Sequence, residues 1–441
     1  MSWVEELASL VTIERSATAR ELHSRDVSGH AGVWPDAVAL PENAQQVANV
    51  LAWANQRHIP VTPWGAGTSV EGNPIPIRQG ISLSLERMNR IKEISLPDRL
   101  AVVEAGTKYR TLNQQLARSG WQFAVEIGGD ATLGGMIANN AAGPKAVKYG
   151  STRAHILGLE VALTDGRLLR TGGRSAKQSC GYNLTQLFAG SEGTLGVITE
   201  AIVRLTAEPA VREVVLARFG SVREALGCVA AMRGLDAGAI EFLDHAYMGF
   251  LGEIAADTLF CEFHTAGHGA VAETICRAGG AVSVERAGAE LWAARLRAYT
   301  ASQEANPGAR LLTTDTAVPV GAFAEMVAFL QSELAGRRLT GYLLGHAGDG
   351  NLHVILPWRS AEEWEAVAAF QRAAVQKSLE LGGTASGEHG VGLGKRQFLE
   401  AEHGAEAVGV MRGIKALFDP RGILNPGKVL PEGGGPGGSE E

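Results

Sequence analysis

The chain has 441 residues, which predicts two or three structural units at about 150 residues per domain. Apolar residues make up 45% and charged residues 20% of the sequence, as is ordinary for a globular protein. The formal net charge of −7, without a basic run, argues against a nucleic-acid-binding protein, and no stretch of about 18 apolar residues is present to span a bilayer.

The first elements are predicted from hydrophobic periodicity. Residues 1–20 carry acidic side chains and no long apolar run, which predicts a helix rather than a signal peptide. The segment Val38–Arg57 is typical of a short strand followed by an amphipathic helix that starts near Asn43. The next strand, IPVTPW (59–64), ends at the loop GAGTSVEG.

Three glycine-rich loops follow, WGAGTS (64–69), GGDATLGGMIANNAAGPKAVKYG (128–150) and AGSEGTLGVIT (189–199). Glycine lets backbone N–H groups approach phosphate oxygens without interference from a Cβ atom. A Rossmann turn is the weaker interpretation of the first loop, because its continuation VEGNPIPI contains two prolines and cannot start a helix. Each loop alone is also compatible with a tight turn, but together they predict a long ligand with a pyrophosphate and two flat ends.

The pattern changes near Glu208, where we place a domain boundary. Strands and helices then alternate as in an α+β layer. Strands are predicted at EVVLARF, AIEFLD, TLFCEFH, AVSVERAG and TDTAVPV. Helices are predicted at SVREALGCVAAMR, near AVAETICRAG, over about 290–304, over 321–335 and from about residue 362, and the final GGGPGGSEE is predicted to be disordered.

Two histidines flank the glycine-rich turn GHAGDGNLH (345–353), His346 and His353. Neutral imidazole is the commonest protein ligand for zinc-like ions, so the pair indicates a metal site. A mobile loop whose imidazoles bind backbone carbonyls is the alternative, because a catalytic metal needs a third ligand.

The four cysteines, Cys180, Cys228, Cys261 and Cys276, have no CxxC spacing. Their spacing argues against an iron–sulfur cluster or an all-cysteine zinc site, and scattered thiols suit a reducing cytoplasm. We expect Cys180 to be a small buried residue. Peripheral membrane contact stays open, because such a patch leaves little trace in composition.

Taken in order, these motifs resemble the FAD-linked oxidases of the vanillyl-alcohol oxidase type, in the branch of D-lactate dehydrogenase (cytochrome) and glycolate oxidase. The resemblance is carried by PWGAGTSVEG, GGDATLGGMIANNAAG with KYGSTR, GSEGTLGVIT, IEFLD, LFCEFH, LWAAR, TTDTAVP, GHAGDGNLH, GEHGVGLGKR and FDPRGILNPGKVL. It implies an α+β fold with a two-subdomain FAD-binding domain (1–208) and a ferredoxin-like cap (209–375). A C-terminal helical segment (376–430) would return to the FAD-binding domain before a disordered tail (431–441).

The resemblance also implies which residues contact FAD. They are Trp64, Gly65, Ala66, Gly67, Thr68, Ser69, Gly72, Gly129, Asp130, Ala131, Thr132, Gly134, Gly135, Asn139, Gly143, Gly150, Glu192, Gly193, Gly196, Val197, Ile198 and Asn425. Some family members bind the flavin covalently through a histidine. The first loop contains no histidine here, so non-covalent FAD is expected.

The motif GEHG (387–390) adds the third ligand that the histidine pair lacks. His346, His353 and Glu388 then form a two-histidine, one-carboxylate set for zinc, manganese or iron. His389 is the candidate base for a substrate hydroxyl, and Arg295 in LWAAR is the candidate partner of the substrate carboxylate. The alternatives are a glycine-flanked turn that caps a helix and a surface arginine.

The predicted function is that of a FAD-dependent D-2-hydroxyacid dehydrogenase, with D-lactate as the favoured substrate and a cytochrome, a quinone or an electron-transfer protein as acceptor. Related D-2-hydroxyglutarate dehydrogenases carry a lysine where this chain has Thr313, Thr314 and Asp315, which favours a monocarboxylate. The alternatives are a subunit of glycolate oxidase, a D-2-hydroxyglutarate enzyme, a flavin-carrying chain that works only in an assembly, and a metal-dependent hydrolase with structural glycine loops. A homodimer stays open.

Overall fold

The computed structural model describes residues 3–286 and 298–431. The first half of the chain forms two sheets and a small strand pair. The strands are β1 Thr12–Glu14, β2 Ala37–Leu40, β3 Val61–Trp64, β4 Ile81–Ser84, β5 Ile91–Ser95, β6 Leu100–Glu104, β7 Trp121–Gln122, β8 Ile156–Ala162, β9 Leu168–Gly172, β10 Val197–Arg204 and β11 Thr206–Ala207. Strands β2, β4 and β3 of the first sheet are parallel, whereas the second sheet, in the order β5-β6-β10-β8-β9, is antiparallel.

We call residues 213–380 the cap, and its described strands are β12 Glu213–Phe219, β13 Ala237–Leu243, β14 Asp257–Phe263, β15 Ser283–Arg286, β16 Arg310–Thr313, β17 Thr316–Ala317, β18 Tyr342–His346 and β19 Asn351–Trp358. They form a single antiparallel sheet in the order β15-β12-β14-β13-β18-β19-β16, with β17 also paired to β19. The divisions predicted at residues 208 and 375 stay predictions.

Fourteen α-helices lie in the described residues. They are α1 Trp3–Leu7, α2 Ala17–Leu22, α3 Ala44–Arg57, α4 Tyr109–Leu116, α5 Leu133–Asn139, α6 Ala146–Tyr149, α7 Leu184–Phe188, α8 Val222–Ala231, α9 His245–Phe250, α10 His268–Ala278, α11 Ala298–Ala305, α12 Phe323–Arg337, α13 Ala361–Glu380 and α14 Leu399–Phe418. Helix α14 is interrupted at Gly404, which has a φ of +79°. None of the helices described is long and apolar enough to cross a membrane.

Side-chain caps explain several helix starts. Asn43 accepts a hydrogen bond from the N–H of Gln46 at the start of α3, as the sequence predicts. Ser221 and Ser360 cap α8 and α13 in the same way. At the second glycine loop Thr132 accepts from the N–H of Gly135, so that loop runs directly into α5.

The helix predicted over residues 1–20 is wrong in its middle. Thr12–Glu14 forms a strand instead, and Ile13 pairs with Ala39 of β2. Strand pairing with β2 is a tertiary contact that outweighs the local helical pattern, and the β-branched Thr12 and Ile13 suit it. The predicted burial of Cys180 is also wrong, because that residue is exposed.

The C-terminal segment packs against the first half of the chain. The N–H of Val61 donates to the carbonyl of Ile423, and the N–H of Asn425 donates to the carbonyl of Val61, so this segment lies beside β3. Ile423 and Leu424 belong to the same buried apolar core as α3 and β10, while the cap has its own core. Asn425 is thereby carried to the glycine loops.

Candidate active site

A cavity of about 440 Å³ lies where the three glycine loops face the cap. All the residues predicted to contact FAD line it except Gly72, Asp130 and Gly150. The residues at its other side are Thr313, Leu344, His346, His353, Ile355, Glu388 and His389. The cavity therefore brings the glycine loops and the predicted catalytic residues together.

Three predicted contacts lie elsewhere, and one prediction is not described. Gly72 bonds through its N–H to Asp26 and packs near His30, whereas the carbonyl of Asp130 accepts a hydrogen bond from Lys108. Gly150 ends α6 with a φ of +78°. Arg295 lies outside the described residues, together with the first part of the helix predicted over 290–304 and the tail from residue 432.

The histidine pair lies on a β-hairpin and not in a loop. His346 ends β18 and His353 lies inside β19, so the turn itself is only residues 347–350. His346 is opposite Asn351, and His353 is two residues beyond that partner. Diagonal neighbours of this kind lie on the same face of a sheet, and the two imidazole centroids are 5.3 Å apart.

Hydrogen bonds at Nδ1 fix both imidazole tautomers. Nδ1 of His346 is 2.7 Å from Oε1 of Glu241, which lies opposite it on β13, and Nδ1 of His353 is 3.3 Å from the carbonyl of Thr314. Both partners accept, so Nδ1 carries a proton in each ring and Nε2 is the nitrogen that is left to face Glu388 or to bind a cation. Acceptors placed behind the ring in this way orient metal-binding histidines.

Both Nε2 atoms point at the same carboxylate oxygen. Oε1 of Glu388 is 3.5 Å from Nε2 of His346 and 3.3 Å from Nε2 of His353. Among the described residues, Oε2 of Glu388 is a buried oxygen without a hydrogen-bond partner. Two imidazole nitrogens and a carboxylate that converge in this way fit a divalent cation, and the three residues have ligand atoms within 4.8 Å of one another.

The electrostatics keep Glu388 ionised and His389 neutral. Burial alone would raise the pKa of the Glu388 carboxyl, but the positive charge of protonated His346 outweighs burial and holds that pKa far below its usual value. Burial lowers the pKa of His389 to about 4, against the opposite effect of Asp315. His389 is therefore neutral at neutral pH and has a nitrogen free to accept a proton.

A second cluster beside the first is not suited to a cation. Asp315, His353 and His389 also have ligand atoms within 4.8 Å of one another. However, the ammonium group of Lys395 lies 3.1 Å from Oδ2 of Asp315, and both side chains are buried. A cation at this position would be repelled by the lysine, so of the two clusters the one that includes Glu388 fits a cation better.

The comparisons with known proteins agree with this geometry. Residues 208–429 match the family model described as FAD linked oxidases, C-terminal domain, and residues 35–172 match that of a FAD binding domain. The chain belongs to the FAD-linked oxidase family. It is a FAD-dependent oxidoreductase, so the alternative of a hydrolase with structural glycine loops is set aside.

Relatives of this FAD-linked oxidase are similar over most of their length. The chain is 36% identical over 437 residues to a protein of Danio rerio named as a probable mitochondrial D-lactate dehydrogenase, with 94% of this chain and 88% of the relative covered. It is 35% identical to the glycolate oxidase subunit GlcD of Bacillus subtilis, with 94% and 93% covered. The structure of p-cresol methylhydroxylase is similar in fold, with a TM-score of 0.79 at 15% identity over 97% and 96% of the two chains.

The sequence interpretation missed several residues around the cavity. Glu241 and Asp315 contact predicted residues from elements distant in the chain, Lys395 contacts Asp315, and Val27 and Asn73 line the cavity itself. One signal was available, because Glu241 is an acidic residue in the apolar strand IEFLD, and buried carboxylates are almost always paired.

We predict that Gly143→Ala weakens FAD binding. A Cβ atom there would lie 2.0 Å from the backbone carbonyl oxygen of Glu126, so the second glycine loop must shift. Overpacking of about 1–3 kcal/mol corresponds to an affinity loss of roughly 5- to 150-fold, measured by titrating the apoprotein with FAD. In the control Gly173→Ala the new Cβ meets no atom within 4 Å. Parental affinity in Gly143→Ala would show that this loop does not hold the cofactor.

Proposed function

We propose that this FAD-linked oxidase is a D-2-hydroxyacid dehydrogenase that oxidises D-lactate to pyruvate. The observation that carries the proposal is the convergence of His346, His353 and Glu388 at a cavity lined by the glycine loops. The name of the Danio rerio relative supports D-lactate as the substrate. The apolar side chains of Leu344 and Ile355 beside the histidines suit a short substrate side chain.

In the proposed reaction, bound FAD would supply a two-electron acceptor, and a divalent cation held by His346, His353 and Glu388 would supply a Lewis acid. His389 takes the proton of the substrate hydroxyl, because its low pKa leaves the imidazole neutral at neutral pH. Glu241 keeps Nε2 of His346 directed at the substrate side through its bond to Nδ1. Arg295 is proposed as the partner of the substrate carboxylate on the resemblance alone.

A second candidate substrate is glycolate. The similarity to the subunit GlcD favours it, and in that case the chain would work as one subunit of a larger enzyme. We propose a cytochrome, a quinone or an electron-transfer protein as the electron acceptor, on the resemblance to the cytochrome-linked branch. The four unpaired cysteines support a cytoplasmic location.

We predict that acid precipitation releases the flavin into the supernatant. The first glycine loop contains no histidine, and His346, His353 and His389 are the histidines that line the described cavity. His346 and His353 face Glu388 and His389 is proposed as the base, so none of the three is assigned to a bond with the flavin. Yellow colour that stays in the pellet would contradict non-covalent FAD.

We predict that D-lactate bleaches the flavin absorption band under anaerobic conditions, and that L-lactate does not. Glycolate and D-2-hydroxyglutarate, tested in parallel, separate the rival substrates.

We predict that dialysis against a chelator abolishes reduction by D-lactate and leaves the flavin spectrum in place, because the proposed ligands His346, His353 and Glu388 face the substrate. Added zinc or manganese should restore the reaction. If the metal-free protein reduces at the parental rate, the ligand assignment is wrong.

We predict that the neighbours Glu388 and His389 can be separated by substitution. Glu388→Gln removes the anionic ligand, so metal content and flavin reduction should fall together. His389→Asn keeps the ligands and removes the base, so it should retain metal and FAD but slow flavin reduction by about 10² at saturating substrate. Its residual rate should rise with pH, because hydroxide partly replaces the imidazole. Loss of metal from His389→Asn would contradict this division of roles.

A further inference from the structure

The segment that carries Glu388 and His389 is held by a carboxylate that belongs to the cap. Asp315 lies between β16 and β17, is 1% exposed, and faces this segment. Its Oδ2 atom accepts hydrogen bonds from the backbone N–H groups of Glu388 (3.0 Å) and His389 (2.9 Å). The hydroxyl of Ser386 is 2.9 Å from the same oxygen, and Nδ2 of Asn351 donates to Oδ1 at 2.7 Å.

Lys395 balances the charge of Asp315 and extends the contact to the first half of the chain, which carries the glycine loops. Its ammonium group is 3.1 Å from Oδ2 of Asp315 and 3.1 Å from Oε1 of Glu71, which lies just after the first glycine loop. All three side chains are buried, with at most 1% of each exposed. The chain of contacts therefore runs from the end of the first glycine loop through Lys395 to the backbone of Glu388 and His389.

Asp315 does not reach the reacting atoms itself. Its Oδ2 is 3.9 Å from Nδ1 of His389, beyond hydrogen-bond distance, and its Oδ1 is 3.8 Å from Nδ1 of His353. We propose that Asp315 is a positioning residue, which sets the place of His389 and Glu388 through their backbone N–H groups, with Lys395 as its charge partner. This inference rests on the proposed hydroxyacid oxidation.

The test compares Asp315→Asn with the charge-matched double variant Asp315→Asn/Lys395→Met. Asp315→Asn leaves Lys395 with an unbalanced charge and puts an amide where five donors converge. Its thermal unfolding midpoint should fall by about 5–10 °C. Its flavin reduction at saturating D-lactate should slow by about 10², the effect of a displacement of about 1 Å. FAD content should stay near that of the parent.

In the double variant, stability and reduction should separate. The buried charges are again balanced, because burial raises the pKa of Glu71 to about 8 and its carboxyl can carry a proton when Lys395 is absent. Most of the lost thermal stability should return. The reduction rate should stay within about threefold of the single variant, because Glu388 and His389 still lack their anionic acceptor.

The control is Asp257→Asn, a buried cap carboxylate that bonds to the N–H of His245 away from the cavity. It should reduce at the parental rate. The positioning role would be overturned if the rate of flavin reduction recovered together with thermal stability in the double variant. It would also be overturned if Asp315→Asn reduced its flavin at the parental rate. If Asp315→Asn does not accumulate in folded form, the rate of flavin reduction in the double variant alone tests the positioning role: slow reduction supports it and parental reduction overturns it. If none of the 2-hydroxy acids reduces the flavin of the parent protein, the proposed function is wrong instead. The two failures are therefore distinguishable.

Discussion

The antiparallel pairing of three cap strands places Glu241, His346 and His353 on one face of one sheet. Glu241 lies directly opposite His346, and His353 is its diagonal neighbour on the far strand. A register slip of one residue would turn each side chain to the opposite face, so none of them could meet Glu388 at the cavity. The register also brings the acceptor to Nδ1 of His346, so it sets both the position and the tautomer of that ring.

The positions of Glu388 and His389 depend on contacts that join their segment to the glycine loops and to the cap. Glu192 of the third glycine loop accepts the N–H groups of Val391 (2.6 Å) and Gly392 (2.9 Å), just after His389. Lys395 joins Glu71 to the cap at the other end of the same segment. Buried polar groups lose hydrogen bonds to water, so each pairing is costly to break. A shift of the segment would therefore disturb the glycine loops as well as the candidate base.

The sequence could predict the parts of the site that are local in the chain. The glycine loops and the pair His346 and His353 carry their signal in composition and spacing, and GEHG supplied Glu388 once the resemblance had ordered the motifs. The hairpin geometry behind the seven-residue spacing was not predicted, because a glycine-rich stretch with Asp and Asn is equally typical of a loop.

Contacts between distant elements could not be predicted in this way. Glu241 lies 105 residues from His346, and Asp315 lies 80 residues from Lys395, so no local spacing connects either pair. The strand at Thr12–Glu14 was missed for the same reason. Its conformation depends on pairing with β2, whereas the local pattern predicted a helix. Pairing of buried charges and strands is a tertiary property.

The segment 385–392 lies outside the helices and strands, and the N–H groups of Glu388, His389, Val391 and Gly392 bond to side chains instead of to backbone carbonyls. Two carboxylates accept these hydrogen bonds. Asp315 of the cap accepts from Glu388 and His389, and Glu192 of the third glycine loop accepts from Val391 and Gly392. Buried ionic groups of this kind add little to stability compared with apolar residues. Their benefit is a single conformation for an irregular segment, and acid–base chemistry needs its groups held to within about 0.5 Å. The irregular backbone can therefore carry a candidate ligand and a candidate base side by side, because its rigidity comes from the carboxylates and not from secondary structure.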